Sequence, residues 1–285
     1  MRSAKEILRL CAYEFRVQFA SVRVWLGYLI GIVLVLRQTA EYLAYAAHFG
    51  EPVNVLEGFL IAGNSSNTVM FLVLGWLLVI SAAPFVDSST GYLIYRTRKS
   101  RWNRAVVLYL AVQAVIYYGL LALASILFSA GNGFLANVWS RPLIRLAGGG
   151  DLSLYDIYFP FEEFIHEFSV VSGFFQTWLL LFGYALLLGL FLYVFSLLSG
   201  QLAGVTAAFI FHFLGYETMS EGLGLTTRYS LMARSVLVLQ VGSGADAQLF
   251  DTYVLYTALV FLMILLSGIF IMHVDFREAA KGEGE

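Results

Sequence analysis

The chain alternates long uncharged apolar stretches with short segments that carry most of its charges. A helix needs about 20 apolar residues to cross roughly 30 Å of hydrocarbon. The stretch 168–216 is long enough for two crossings, with a break at Ser199-Gly200-Gln201. The other clear crossings are predicted at 67–86, 105–129 and 252–274.

Two of the predicted crossings are less regular. The uncharged run 24–36 is too short alone, so the first helix is expected to continue past Arg37 and Glu41 toward residue 49. Those two residues are four apart and can pair at the outer interface. Alternatively, their charge faces an internal cavity. The fifth crossing, 202–216, is also short, which indicates a broken or re-entrant helix after it.

Composition places the whole chain in a bilayer. Of its 285 residues, 60% are apolar and 13% charged, with a mean hydropathy of +0.78. Soluble domains are about 45–50% apolar and about 25% charged. We therefore predict an all-α integral membrane protein, one domain over 1–285, with six transmembrane helices and an interfacial amphipathic helix at its N-terminus. The single cysteine, Cys11, excludes a disulfide framework.

The distribution of charge between loops predicts the orientation. With six crossings and the N-terminus inside, 12 of the 17 Lys and Arg residues fall on the inner side and 12 of the 19 acidic residues on the outer side. Cytoplasmic loops carry the excess of Lys and Arg. We expect a multi-pass protein of the cell membrane with both termini cytoplasmic, and 130–173 and 217–250 as external segments.

The first 22 residues contain a basic stripe. Its members are spaced by seven, so they drift only about 20° per step around a helix. They are Arg2, Arg9, Arg16 and Arg23. The opposite side gathers apolar residues: Ala4, Leu8, Cys11, Phe15, Phe19 and Val22. This pattern predicts a helix lying on anionic lipid at the inner surface, although a plain positive-inside flank remains an alternative.

The segment 87–104, between the second and third crossings, combines cations with aromatic residues. The residues singled out are Tyr95, Arg96, Arg98, Arg101, Trp102 and Arg104. A topology signal alone needs fewer cations and no aromatic residues, whereas aromatic and Arg anchors are typical of docking surfaces. We interpret the segment as a docking surface for a cytosolic protein; a lipid-headgroup anchor is the alternative.

In this layout the chain resembles type-2 ABC exporter permeases. The resemblance rests on the N-terminal helix, the six crossings, the run Gly50–Glu57 and the run Tyr95–Trp102. It implies a dimer of identical or homologous permease subunits, each bound to a separate cytosolic ATPase through a coupling loop at 87–104. It also implies that Mg-ATP binds the partner ATPase and that this chain carries no cofactor. No nucleic-acid partner is expected, and the length of 130–173 prevents any inference of substrate class.

The sequence gives only weak indications of catalytic or metal-binding chemistry on this chain. No Walker-type Lys-Ser/Thr loop occurs, and no catalytic or metal-binding residue is predicted. The competing hypotheses are an integral membrane enzyme acting on lipid or peptide, using His212 or the Glu163/His166 cluster, and a non-transporting scaffold or immunity subunit. His212 alone in a crossing is more typical of a packed residue that hydrogen-bonds between helices.

Overall fold

A computed structural model describes residues 2–85, 97–149, 155, 157, 159, 162–220, 229–241 and 248–274. Among these residues the fold is almost entirely helical. Its α-helices are α1 (Arg2–Phe19), α2 (Val22–His48), α3 (Glu57–Asn64), α4 (Ser66–Ile80), α5 (Lys99–Ser129), α6 (Arg141–Ala147), α7 (Glu162–Glu167), α8 (Val170–Ser199), α9 (Gln201–Ser220) and α10 (Leu249–Phe270). Two 3₁₀ turns, Ala233–Ser235 and Leu237–Gln240, precede α10.

Four described helices are long and apolar enough to cross a membrane: α2, α5, α8 and α10. A fifth candidate is the pair α3 and α4, which meet at a 90° bend. The chain therefore has the make-up of a multi-pass membrane protein, as the composition predicts. The predicted number of six crossings is not confirmed.

Hydrogen bonds at the helix termini define two ends of the bundle. At the first, which we call the α1 end, Lys99 at the start of α5 donates to the carbonyls of Met272 and Val274, just after α10. Gln201, between α8 and α9, donates there to the carbonyl of Ser81, after α4.

At the other end, which we call the Glu57 end, a short parallel ladder joins two segments. Val53–Asn54 (β1), after α2, pairs with Gly133–Phe134 (β2), after α5. The start of α10 lies toward this end too, because the 22-residue helix ends at the α1 end; Arg234 donates there to Thr252. Successive long helices therefore run in alternating directions between the two ends.

The crossing of α2 and α4 depends on small residues. A Cβ atom added to Gly27 would lie 2.5 Å from the carbonyl oxygen of Gly75, and one added to Gly75 would lie 2.5 Å from the hydroxyl of Tyr117. Both distances are too short for a real side chain. Close approach of backbones at glycine is the usual means of packing helices inside a membrane. This contact holds α2, α4 and α5 together in the core.

The predicted element boundaries hold to different degrees. The break near residue 200 is confirmed: α8 ends at Ser199, and Gly200 has a φ of 89°, in the left-handed region that favours glycine. The crossing predicted at 67–86 differs, because α4 ends at Ile80 and is preceded by the bend at Ser65. Helix α9 runs unbroken over 20 residues, longer than the short segment expected there.

Candidate functional site

The predicted docking segment 87–104 is described only from residue 97 onward. Tyr95 and Arg96 lie outside the described residues. Arg98 precedes the first turn of α5, and Arg98 and Arg104 are both exposed. That first turn contains Lys99 and Arg101 and no acidic residue. Because the N-terminus of a helix carries a partial positive charge, cations there are unfavourable for the helix itself. The stability of α5 alone therefore does not explain these cations, although Lys99 also donates to the carbonyls that follow α10.

Arg101 connects α5 to the N-terminal helix. Its guanidinium forms an ion pair with Glu6 of α1, and 31% and 43% of the two side chains are exposed. Farther along the same contact, the ring of Phe15 meets that of Tyr109 edge-on at 4.8 Å. Helix α1 therefore packs beside the start of α5 and contributes to the same surface.

Trp102 has a different environment from the arginines around it. Its side chain is 1% exposed, and its ring centroid lies 6.3 Å from that of Tyr193 in α8. Sequence reasoning grouped Trp102 with the docking residues as an aromatic anchor, but in this chain the ring packs between helices. Its replacement would report on folding as well as on docking.

The basic stripe of α1 is only partly exposed. Arg9 and Arg16 are exposed, whereas the guanidinium of Arg23 donates to the side-chain oxygen of Gln18 at 3.1 Å. Nothing is described of the side chain of Arg2. The predicted apolar face also differs in part, since Leu8 is 60% exposed while the polar Glu14 is 4% exposed.

Glu57 lies at the centre of a buried hydrogen-bond network at the Glu57 end. Its carboxylate is fully buried and accepts from the hydroxyl of Tyr42 at 2.7 Å, the backbone N–H of Asn54 at 3.0 Å, and the N–H and hydroxyl of Ser140 at 2.8 and 2.7 Å. Buried charge is costly unless it is hydrogen-bonded in this way. Glu57 therefore joins α2, β1, α3 and the N-terminus of α6.

A cleft of about 550 Å³ opens beside α2, and we call it the Arg37 cleft. It lies between α2, the bend before α4 and the last turns of α9. Its lining includes Arg37, Gln38, Asn67, Phe71, Tyr155 and Tyr216. Arg37 is itself exposed, so it lines an open cleft and not the closed internal cavity of the second interpretation.

His212 bridges three helices inside the bundle. Its Nε2 lies 3.0 Å from the carbonyl oxygen of Met70 in α4, and its Nδ1 lies 2.9 Å from the hydroxyl of Tyr184 in α8. A carbonyl can only accept, so Nε2 carries the proton and Nδ1 accepts from Tyr184. Both nitrogens are thus engaged by the protein, as expected of a residue that hydrogen-bonds between helices.

The second cluster considered for catalysis lies on α7. Glu163 and His166 are both exposed there. Among the described residues no group of three His, Cys, Asp or Glu side chains could hold a metal ion.

Sequence reasoning missed the roles of Tyr42 and Ser140. Glu57 was visible as the last charge before a long apolar stretch, but its partners lie up to 83 positions away along the chain. No periodicity links such positions. Comparison of the chain with protein-family models, curated proteins and solved structures gave no match.

Proposed function

We propose that the chain is the membrane-spanning permease subunit of an ATP-driven exporter. In this proposal a separate cytosolic ATPase binds the α1 end, and two permease subunits, identical or homologous, enclose the transport path. ATP binding and hydrolysis on the partner switch the path between inward-facing and outward-facing states.

The observation that carries the proposal is the composition of the α1 end. Arg98, Lys99, Arg101 and Arg104 lie at the start of α5, where the helix dipole disfavours cations, and α1 packs beside them through Glu6. A charged surface formed by two helices, rather than by one mobile loop, suits docking of an acidic protein surface. Tyr95 and Arg96, which precede these cations in the sequence, belong to the same proposed docking segment, and Trp102 supports the surface from inside.

The proposed topology has six crossings, with both termini in the cytoplasm. It adds α9 and the bent pair α3 and α4 to the four long apolar helices. Helix α9 has 20 residues, which corresponds to about 30 Å of rise and suffices for one crossing. The exposed side chains in its second half are apolar, as lipid contact requires: Phe209, Ile210, Phe211, Phe213 and Leu214. The alternating helix directions and the positive-inside distribution support the same topology.

The proposed place of α1 is the inner membrane surface. Arg9 and Arg16 point away from the bundle and are free to meet anionic headgroups. The face that includes Cys11 and Phe15 packs on the bundle instead.

Affinity purification in a mild detergent tests the proposal. An ATP-binding protein in stoichiometric amount is expected among the chains that co-purify with the wild type. If no ATPase accompanies the protein from the membranes of its source cells, the permease proposal fails. The membrane-enzyme and scaffold hypotheses would then take its place.

A further inference from the structure

Two buried polar groups on α5 have no hydrogen-bond partner among the residues that the structure describes. They are the hydroxyl of Tyr109 and the side-chain oxygen Oε1 of Gln113. Both side chains are 0% exposed. Buried polar groups are rarely left unsatisfied, and ordered water is a common partner where the protein supplies none. The two groups therefore indicate a polar molecule inside the bundle.

The two groups lie on one face of α5, deep in the bundle. Tyr109 and Gln113 are four residues apart in a helix that begins at Lys99, so their side chains lie one above the other. Gln113 leans back toward the turn of Tyr109, because side chains on a helix point toward its N-terminus. Gln113 follows Lys99 by 14 residues, which is about 21 Å along the helix. The site therefore lies well inside the protein.

Tyr28 of α2 is the third polar group at this site. Its hydroxyl accepts from Nε2 of Gln113 at 3.1 Å and interacts electrostatically with the hydroxyl of Tyr109. A phenolic hydroxyl also donates one hydrogen, and that of Tyr28 has no acceptor among the described residues. Two O–H hydrogens and one amide oxygen therefore remain to be bonded where α2 and α5 meet.

Aromatic rings of α1 cover the site. Phe15 meets the ring of Tyr109 edge-on at 4.8 Å between ring centroids, and Phe19 stacks on Tyr28 at 6.3 Å. These phenylalanine rings have no polar atoms, and they close the site on the side of α1. A molecule that bonds to the three polar groups must therefore be small and enclosed by the protein.

Water matches the groups that remain to be bonded. A water molecule accepts and donates hydrogen bonds at once, and a buried one makes about three. Here it accepts from Tyr109 and from Tyr28 and donates to Oε1 of Gln113. A cation is unsuited to this site because two of the three groups present hydrogens, and an anion is unsuited because the third presents an oxygen.

We propose that one water molecule is bound between Tyr109, Gln113 and Tyr28 and joins α5 to α2 beneath α1. The site lies on the helix that begins at the proposed docking surface. The inference itself stands on the buried groups and does not depend on an ATPase partner.

X-ray radiolytic footprinting of the full-length protein in detergent, measured by mass spectrometry, tests this inference. Radiolysis of a bound water produces hydroxyl radicals in place, so a tyrosine beside it is oxidised although bulk solvent does not reach it. The matched control is Tyr42, which is also 0% exposed but whose hydroxyl is hydrogen-bonded to Glu57 and Ser140. Tyr229, which is 78% exposed, calibrates the dose.

Tyr109 is expected to be oxidised several-fold faster than Tyr42 in the wild type, and as slowly as Tyr42 in Gln113→Leu, which removes the acceptor. Equal rates for Tyr109 and Tyr42 in the wild type overturn the inference, and so does a rate for Tyr109 that Gln113→Leu leaves unchanged. Size-exclusion profiles establish whether Gln113→Leu is folded. If it is not, the comparison within the wild type carries the test.

The melting temperature of Tyr109→Phe is a second test, because its direction of change differs between the alternatives. If the hydroxyl is bonded to a water molecule, its removal loses a hydrogen bond and lowers the melting temperature. If the hydroxyl has no partner, an apolar replacement of the same shape removes an unsatisfied group and raises the melting temperature. A raised or unchanged melting temperature would contradict the proposed water site.

Discussion

Arg101 and Glu6 form an ion pair that joins the first turn of α5 to α1. Both side chains are partly exposed, so the pair contributes at most about 1 kcal/mol to stability. Its larger consequence is geometric, because it makes the N-terminal helix part of the proposed docking surface.

Reversing the charges of Arg101 and Glu6 separates the contribution of the ion pair to stability from its contribution to docking. Arg101→Glu alone should lower stability slightly and reduce the amount of bound ATPase. Adding Glu6→Arg should restore the stability, because the ion pair re-forms in reverse, whereas its effect on docking depends on which charge the ATPase meets. Thermal unfolding and ATPase retention are measured on the same samples. If the swap recovers stability and ATPase binding together in full, Arg101 acts on docking only by holding α1.

Trp102 supports the surface from inside, and its replacement should act on folding. Trp102→Ala removes a side chain that is 1% exposed, and changes of this kind cost about 3–5 kcal/mol. We expect a clear loss of thermal stability, with Trp102→Phe intermediate. An unchanged melting temperature in Trp102→Ala would contradict the buried position of the ring.

The Glu57 network should be among the most sensitive positions at its end of the bundle. Glu57→Gln keeps the shape but turns an N–H donor of the new amide toward one of the four groups that donate to the carboxylate. A mismatched buried donor costs about 1–3 kcal/mol. The matched control is Glu51→Gln, which loses the partly exposed ion pairs with Arg145 and Arg141, and should cost about 1 kcal/mol or less. Equal melting temperatures for the two variants would show that the network is unimportant.

Cys11 reports whether α1 stays packed while its basic face is altered. The thiol is 6% exposed, and burial, with a smaller effect from Glu14, raises its pKa. Since the thiolate is the reactive form, N-ethylmaleimide should modify Cys11 slowly at neutral pH and faster above the raised pKa. An exposed cysteine at Arg16→Cys on a Cys11→Ser background is the reference for rapid reaction.

The reactivity of Cys11 also serves as the folding control in a test of lipid binding by α1. Changing Arg2, Arg9 and Arg16 to Glu should weaken contact with anionic vesicles by roughly 1 kcal/mol per charge while Cys11 stays protected. If the affinity for vesicles does not change, the four arginines act only as a positive-inside topology signal and not as a lipid-binding face.

Apolar patterning predicts the helical membrane class and the break at Gly200, because both follow from features that are local in the sequence. It cannot predict the bend at Ser65, since α3 and α4 form one continuous uncharged stretch. The burial of Trp102 could not be predicted either. A tryptophan among arginines is expected to be exposed, and only the positions of the neighbouring helices show that it is buried. The partners of Glu57 and the Arg37 cleft are assembled from residues far apart in the chain, so only the folded structure reveals them.

The central claim is that the start of α5 docks an ATPase, and the most direct test is the ratio of ATPase to permease after affinity purification. The informative variants are Arg104→Glu alone and together with Arg98→Glu, since both residues are exposed and neither substitution opens the core. Arg141→Glu is the matched control, because it makes the same charge change on an exposed residue at the Glu57 end. The account predicts a normal ratio in the control, a reduced ratio in Arg104→Glu and a near-complete loss in the double variant, all with wild-type size-exclusion profiles. A full complement of ATPase on the folded double variant would contradict it.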